Sequence, residues 1–224
     1  TSAAYEISVL LMESSHESKT ALPVLMRGKG DRGVFSSTSS TPVLFRVKPP
    51  LPQPSANLGD RLLITGSGLD ADGLSLRIAS PYLSEPKAMK ISSAGQKGAI
   101  AVNLPSPSDP GAMSNWAAGF YTICAVVNHP DLPSWITNEL PFALSPIINC
   151  NPKKAAPGSI NLKISCTPRL REGQKAYLLF GDRQIQAMSI VNPNDISQAT
   201  ILEFFIPQAD EGEYIIRLRV DGID

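Results

Sequence analysis

The sequence predicts an all-β protein, and three observations carry that expectation. Proline and glycine are frequent, at 20 and 16 of 224 residues, and punctuate many short elements rather than long helices. From about residue 56 onward, apolar and β-branched runs of strand length recur between those turn signals, and no window of about ten residues has helical periodicity. The stretch GFYTICAVV at 119–127 returns as GEYIIRLRV at 212–220. One structural unit is used twice.

Taken in order, the chain opens with YEISVLLMES, which has strand composition. Tyr5, Ile7, Val9 and Leu11 point one way, Glu6, Ser8, Leu10 and Met12 the other. The later half is apolar on both faces, as in a strand covered on both sides. SSHESKT reads as a polar turn and ALPVLMRG as a second strand. Two strands alone are marginal in water, so residues 1–27 are expected to complete an upstream domain or to pair with a partner chain. Together with a start at Thr1 and an end at VDGID, this reads as a fragment of a longer protein.

Residues 28–55 form a Pro/Ser/Gly-rich linker: GKGDRG is a Gly-rich loop, SSTSST is low in complexity, and KPPLPQP favours extended polyproline geometry. Within it, PVLFRV has the composition of a short strand. Beyond it, LGDRLLITGSGL, GLSLRIAS, AMKIS, GAIAVNLP, GFYTICAVV and LPFAL follow as strands with turn signals between them.

The repeat extends past the Gly-x-Tyr strands. NLGDRLLIT from Asn57 aligns with PGSINLKIS from Pro157, LSLRIAS (74–80) with KAYLLFGD (175–182), and AIAVNLP (99–105) with TILEFFIP (200–207). Four landmarks recur in order at separations of 93 to 101 residues. A period near ~100 residues, with about seven short strands each, is the size of one immunoglobulin-like (Ig-like) sandwich. The expected fold is therefore two tandem Ig-like β-sandwiches, residues 56–145 and 146–224, preceded by strands of the upstream domain. The Gly-x-Tyr strand is expected to be the penultimate one of each repeat, its Tyr forming a tyrosine corner. Cys124 lies three residues after Tyr121, off the antibody spacing, and the early strand of that repeat has no partner Cys. The sandwich lacks the disulfide.

Composition bounds function. The formal net charge is zero and the pI near 6.7, so no global field draws in nucleic acid or an anionic membrane. Three cysteines (Cys124, Cys150, Cys166) without close spacing give neither a disulfide framework nor a zinc site and favour a reducing compartment. No apolar run approaches the ~18 residues of a membrane span.

Chemistry-bearing patterns are few. His16 and His129 are the two histidines; His129 with Asp131 in NHPDLP lacks a serine in a nucleophile elbow and reads as a solvated loop. DADG (70–73) stops after two acids, short of a calcium loop, and reads as a tight turn between strands. RGKGDRG places Arg27, Lys29 and Arg32 among glycines. It lacks the Lys-Ser/Thr and the helix of a phosphate loop; a solvated loop and a contact with a neighbouring subunit both remain open. Trp116 reads as sandwich core, and Trp135 as either core or an interface anchor. No catalytic, cofactor or metal residues are assigned. The interface candidates are Tyr5, Ile7, Val9, Leu11, Arg27, Lys29, Arg32 and Trp135.

The N-terminal pattern also carries a resemblance. YEISVLLMES, ALPVLMRG and GVF, then a Pro-rich linker and LGDRLLITGSGL, resemble the cap (tail-terminator) proteins of extracellular contractile injection systems, the phage-tail-like particles. Tyr5, Ser8, Val9 and Leu10 match the family's strand motif, Leu22 to Leu25 its LPVL segment, and Leu58 to Leu69 its sandwich opening. The likeness spans nearly the whole chain, with its specific part in residues 5–27 and 58–69. It implies a missing N-terminal α/β domain that forms a homohexameric ring, no enzymatic activity and no cofactor. It also implies partners in the sheath and tube proteins, with assembly in the bacterial cytoplasm. The alternative is a tandem Ig-like binding module of a cell-surface adhesin or carbohydrate-active protein.

Overall fold

Alternating inward apolar and outward polar residues decide which segments become strands. In RLLITGS, Leu62 and Ile64 are buried; in LSLRIA, Leu76 and Ile78 are; in GFYTICAVV, Tyr121, Ile123, Ala125 and Val127 are. Fully burying one such aliphatic side chain contributes about 1.5–3 kcal/mol, enough to fix each strand's register, since a one-residue slip turns the whole set outward. The computed structural model describes residues 42–50, 53–70, 73–95, 98–128 and 134–224. Tyr5, Ile7, Val9, Leu11, Arg27, Lys29, Arg32 and both histidines lie outside the described residues, as does the reading of 1–27 as terminal strands.

The first sandwich comprises β1 (Val43–Lys48), β2 (Arg61–Ser67), β3 (Leu74–Ala79), β4 (Lys87–Met89), β5 (Ile91–Ser93) and β6 (Ala99–Asn103), followed by the short helix α1 (Ala112–Asn115). It is completed by β7 (Gly119–Val127), β8 (Trp135–Ile136) and β9 (Leu140–Leu144). One sheet runs β1-β2-β6-β5. The other runs β4-β3-β7-β8, with β9 also on β7. Its core gathers Leu62, Ile64, Leu76, Ile78, Ile100, Val102, Tyr121, Ile123, Phe142 and Leu144.

The second sandwich comprises β10 (Ile147–Asn151), β11 (Gly158–Thr167), β12 (Ala176–Phe180), β13 (Arg183–Gln186), β14 (Ser189–Val191), β15 (Thr200–Ala209) and β16 (Ile216–Val220). Its sheets run β10-β11-β15-β14 and β13-β12-β16. The four-stranded sheets match strand for strand, whereas β13-β12-β16 matches β4-β3-β7 and has no counterpart of β8 or β9 among the described residues; the four landmark pairs of the sequence fall on β2/β11, β3/β12, β6/β15 and β7/β16. The order of the two four-stranded sheets corresponds to strands A, B, E and D of an immunoglobulin domain. The protein is all-β and Ig-like.

Two details depart from the sequence reading. Residues 43–48, read as a short strand within the linker, belong to the first sandwich instead, antiparallel to β2, because Leu44 turns into the core. Where the ladder shifts between Leu44 and Arg46, the Asn138 amide substitutes for it. Leu44 N donates to Asn138 Oδ1 and Asn138 Nδ2 donates to Leu44 O, both at 2.9 Å. Secondly, the Gly-x-Tyr strand is penultimate in neither repeat: β8 and β9 both follow β7, and among the described residues β16 is the last strand and pairs with β12 alone.

Candidate functional site

The residues that define a site are those joining the two sandwiches, which belong to one compact unit. They come from the loop after β3, the loop before β7, the turn before β12 and the turn after β16. Asp221 is central. It adopts φ +48°, a left-handed conformation that Asp tolerates better than most residues, and this aims its carboxylate across the junction. Oδ2 accepts from Tyr82 Oη at 2.9 Å and from Gln174 Nε2 at 3.0 Å, while Oδ1 accepts from Lys175 N at 3.0 Å.

Gln174 is the second bridge. Buried between the sandwiches, its Nε2 also donates to Ala118 O at 2.8 Å, and its Oε1 accepts from Arg171 N at 2.9 Å. The Arg171 guanidinium donates to Ser114 O of the first sandwich. On the chain-crossing side, Ser145 Oγ donates to Ser55 Oγ and also lies 3.1 Å from Asp224 O. Asp224 in turn pairs with Arg217 at 2.8 Å and Arg219 at 3.2 Å. Ala118 of the first sandwich is fully buried and packs in the core of the second. Hydrogen bonds and this apolar contact together fix the relative orientation of the two sandwiches.

The electrostatics follow from that geometry. Burial pushes the Asp221 carboxyl upward, but donation from Lys175 N, Gln174 and Tyr82, with the Lys175 charge, outweighs it and holds the group below the usual carboxylate range. Tyr82 moves up through burial, its hydrogen bond to Asp221 and the adjacent charge. An ionised Asp221 is thus the form the junction is built around.

Next to the junction stands the first tyrosine corner. Tyr121 Oη donates to Ala117 O at 2.8 Å and accepts from Ala117 N at 3.1 Å. Its ring stacks between Trp116 (5.3 Å) and Phe142 (5.5 Å). Burial pushes its pKa up to about 12, against the opposing hydrogen bond to Ala117. Trp116 is core, as the sequence indicated. The second corner repeats the geometry: Tyr214 Oη lies 3.2 Å from Asp210 O and 3.1 Å from Asp210 N.

Of the predicted interface candidates, Trp135 lies among the described residues. It stands on β8 opposite Val127, 37% exposed, beside Ile136 at 55%. Ile136 stands opposite Val126, on the sheet face away from the core, where Phe120 is 62% exposed. The DADG segment ends at Gly73 with φ +75°, where an added Cβ would lie 2.3 Å from Asn128 O, so this turn requires glycine. All three cysteines are free, with Cys124 and Cys166 buried; burial raises the Cys150 thiol and pushes Cys166 up to about 12. Among the described residues, no three His, Cys, Asp or Glu side chains gather as a metal site, and no helix is long and apolar enough to cross a membrane.

Sequence reasoning missed Tyr82, Gln174 and Asp221. Its one signal was the Asp-Gly pair in VDGID, which marks a turn and says nothing of what the turn grips.

Three comparisons bear on relatives. A family model described as a domain of unknown function (DUF8756) matches residues 145–224, the second sandwich. No curated protein matches the chain. Among solved structures, one marsupial T cell receptor is similar at 11% identity and a TM-score of 0.33, over 80% of this chain and 61% of its own. Another is similar at 13% identity and a TM-score of 0.29, over 79% of this chain and 96% of its own. Neither likeness bears on function.

Proposed function

We propose that this chain is a non-enzymatic structural component of a phage-tail-like contractile injection particle, the cap that ends tube and sheath polymerisation and anchors the sheath. In this reading the two sandwiches form a stiff peripheral arm, and residues 1–27 belong to the ring-forming domain. The observation that carries the stiff arm is the junction: a buried glutamine, a bridging carboxylate and the Ala118 plug join the sandwiches where tandem modules commonly have a free linker. The particle-specific part rests on the likeness of residues 5–27 and 58–69 to the cap family. Its partners are copies of itself in a homohexameric ring and the sheath and tube proteins, assembled in the bacterial cytoplasm.

The second reading, an Ig-like binding module of an adhesin or carbohydrate-active protein, draws on the exposed Phe120 and Ile136, since apolar surface of this kind marks contact sites when contiguous. Sedimentation of high-molecular-weight particles from the native source, followed by mass spectrometry, separates the two. The cap reading expects this chain in the particle fraction at hexameric stoichiometry. Recovery at the cell surface instead would favour the binding module.

A further inference from the structure

The two repeats differ most at one sheet edge. In the first sandwich β9 closes the sheet, with Leu140, Phe142 and Leu144 opposite Ile123, Tyr121 and Gly119, and Phe142 and Leu144 are buried there. The corresponding positions of the second sandwich are Ile216, Tyr214 and Gly212, and among the described residues no strand stands opposite them. The ladder accordingly begins only at Ile216 in β16, whereas β7 begins at Gly119. Tyr214 stacks on Phe180 at 4.1 Å but has no ring on its other side of the kind Phe142 gives Tyr121. Alongside lies a cleft of about 620 Å³, whose apolar lining includes Ile160, Leu162, Phe180, Ile206, Tyr214 and Ile216.

The turn after β16 sets the direction from which this edge would be closed. Val220 N donates to Ile223 O at 2.8 Å and Ile223 N to Val220 O at 2.9 Å. Between them Asp221 and Gly222 take φ +48° and +91°. Two central residues with positive φ make the mirror-image hairpin turn whose twist suits paired strands. Ile223 is buried and is the antiparallel bridge partner of Val220. A strand leaving Ile223 in this register places alternate side chains opposite Leu218, Ile216 and Tyr214, over the cleft.

We propose that the β16 edge and its cleft are a strand-accepting site, filled by polypeptide that continues in register from the Asp221–Gly222 turn and carries apolar side chains at alternate positions. The first sandwich supplies the pattern, since Leu140, Phe142 and Leu144 fill the equivalent space. Main-chain hydrogen bonds to β16 would hold the strand, and the cleft would select its inward side chains.

The test uses the 224-residue chain with a copy of residues 138–144 appended directly to Asp224, which sets the copied Phe142 side chain opposite Tyr214. A second protein carries the same extension displaced by one inserted serine, which turns every side chain to the other face. The in-register extension is expected to raise the melting temperature of the second sandwich by about 5–10 °C and to slow amide exchange at Tyr214 and Ile216, whose N–H groups face the open edge as that of Val220 does, while the displaced one does neither. Equal behaviour of the two extensions, or unchanged exchange with the in-register one, overturns the proposal. Protection by the same segment as a free peptide, where the extension gives none, overturns the continuous-chain assignment and makes the site a receptor for another chain's strand.

Discussion

Tyr121 and Tyr214 make the same pair of backbone hydrogen bonds in unequal surroundings. Tyr121 is fully buried between two rings; Tyr214 is half-buried on one. Tyr121→Phe strands the Ala117 N–H and C=O away from water and is expected to cost about 1–3 kcal/mol in guanidinium unfolding. Tyr214→Phe exposes its partners to solvent and should cost clearly less. The glycines two residues before them differ likewise: an added Cβ at Gly119 would lie 2.3 Å from Tyr82 Cε2, and one at Gly212 meets nothing within 4 Å. Gly119→Ala is therefore expected to destabilise by about 1–3 kcal/mol, as overpacking does. Asp221 gives a pH signature. Because its folded pKa is lowered, its contribution is present above the unfolded value near ~3.9 and lost as pH falls through the folded one. Unfolding midpoints measured from pH 5 down to pH 2.5 should fall more steeply for the wild type than for Asp221→Asn.

At the scale of elements, the fold was largely written in the sequence and its joints were not. Period-two alternation exposed β2, β3, β6, β7 and their counterparts because each buries one face only. The tyrosine corner was legible because its bonds span four residues. β1 was partly hidden among prolines, where composition argues for a linker and the deciding contact, Leu44 with Asn138, lies 94 residues away. The short edge strand β13, RQIQ, has too little apolar character to be called. The Tyr82–Asp221 bond joins residues 139 apart, and no local pattern encodes such a pairing. Phe142→Ala tests how far β9 supports its sandwich. It removes a buried ring from the stack on Tyr121 and is expected to cost about 3–5 kcal/mol, read as a drop in the melting temperature of the first repeat.

For the whole molecule, the cap proposal assigns particle engagement to residues 1–27. If residues 1–27 carry that engagement, deleting them should leave both sandwiches folded by circular dichroism yet absent from sedimented particles. Retained sedimentation would move the contact onto the sandwiches. The arm's stiffness is the claim on which the structural reading depends, and residual dipolar couplings of the 224-residue chain test it most directly. Couplings from both sandwiches should fit a single alignment tensor in the orientation held by Gln174, Asp221 and Ala118, and Asp221→Ala should split that tensor in two. Two independent tensors in the wild type would contradict the account, leaving a pair of flexibly tethered modules.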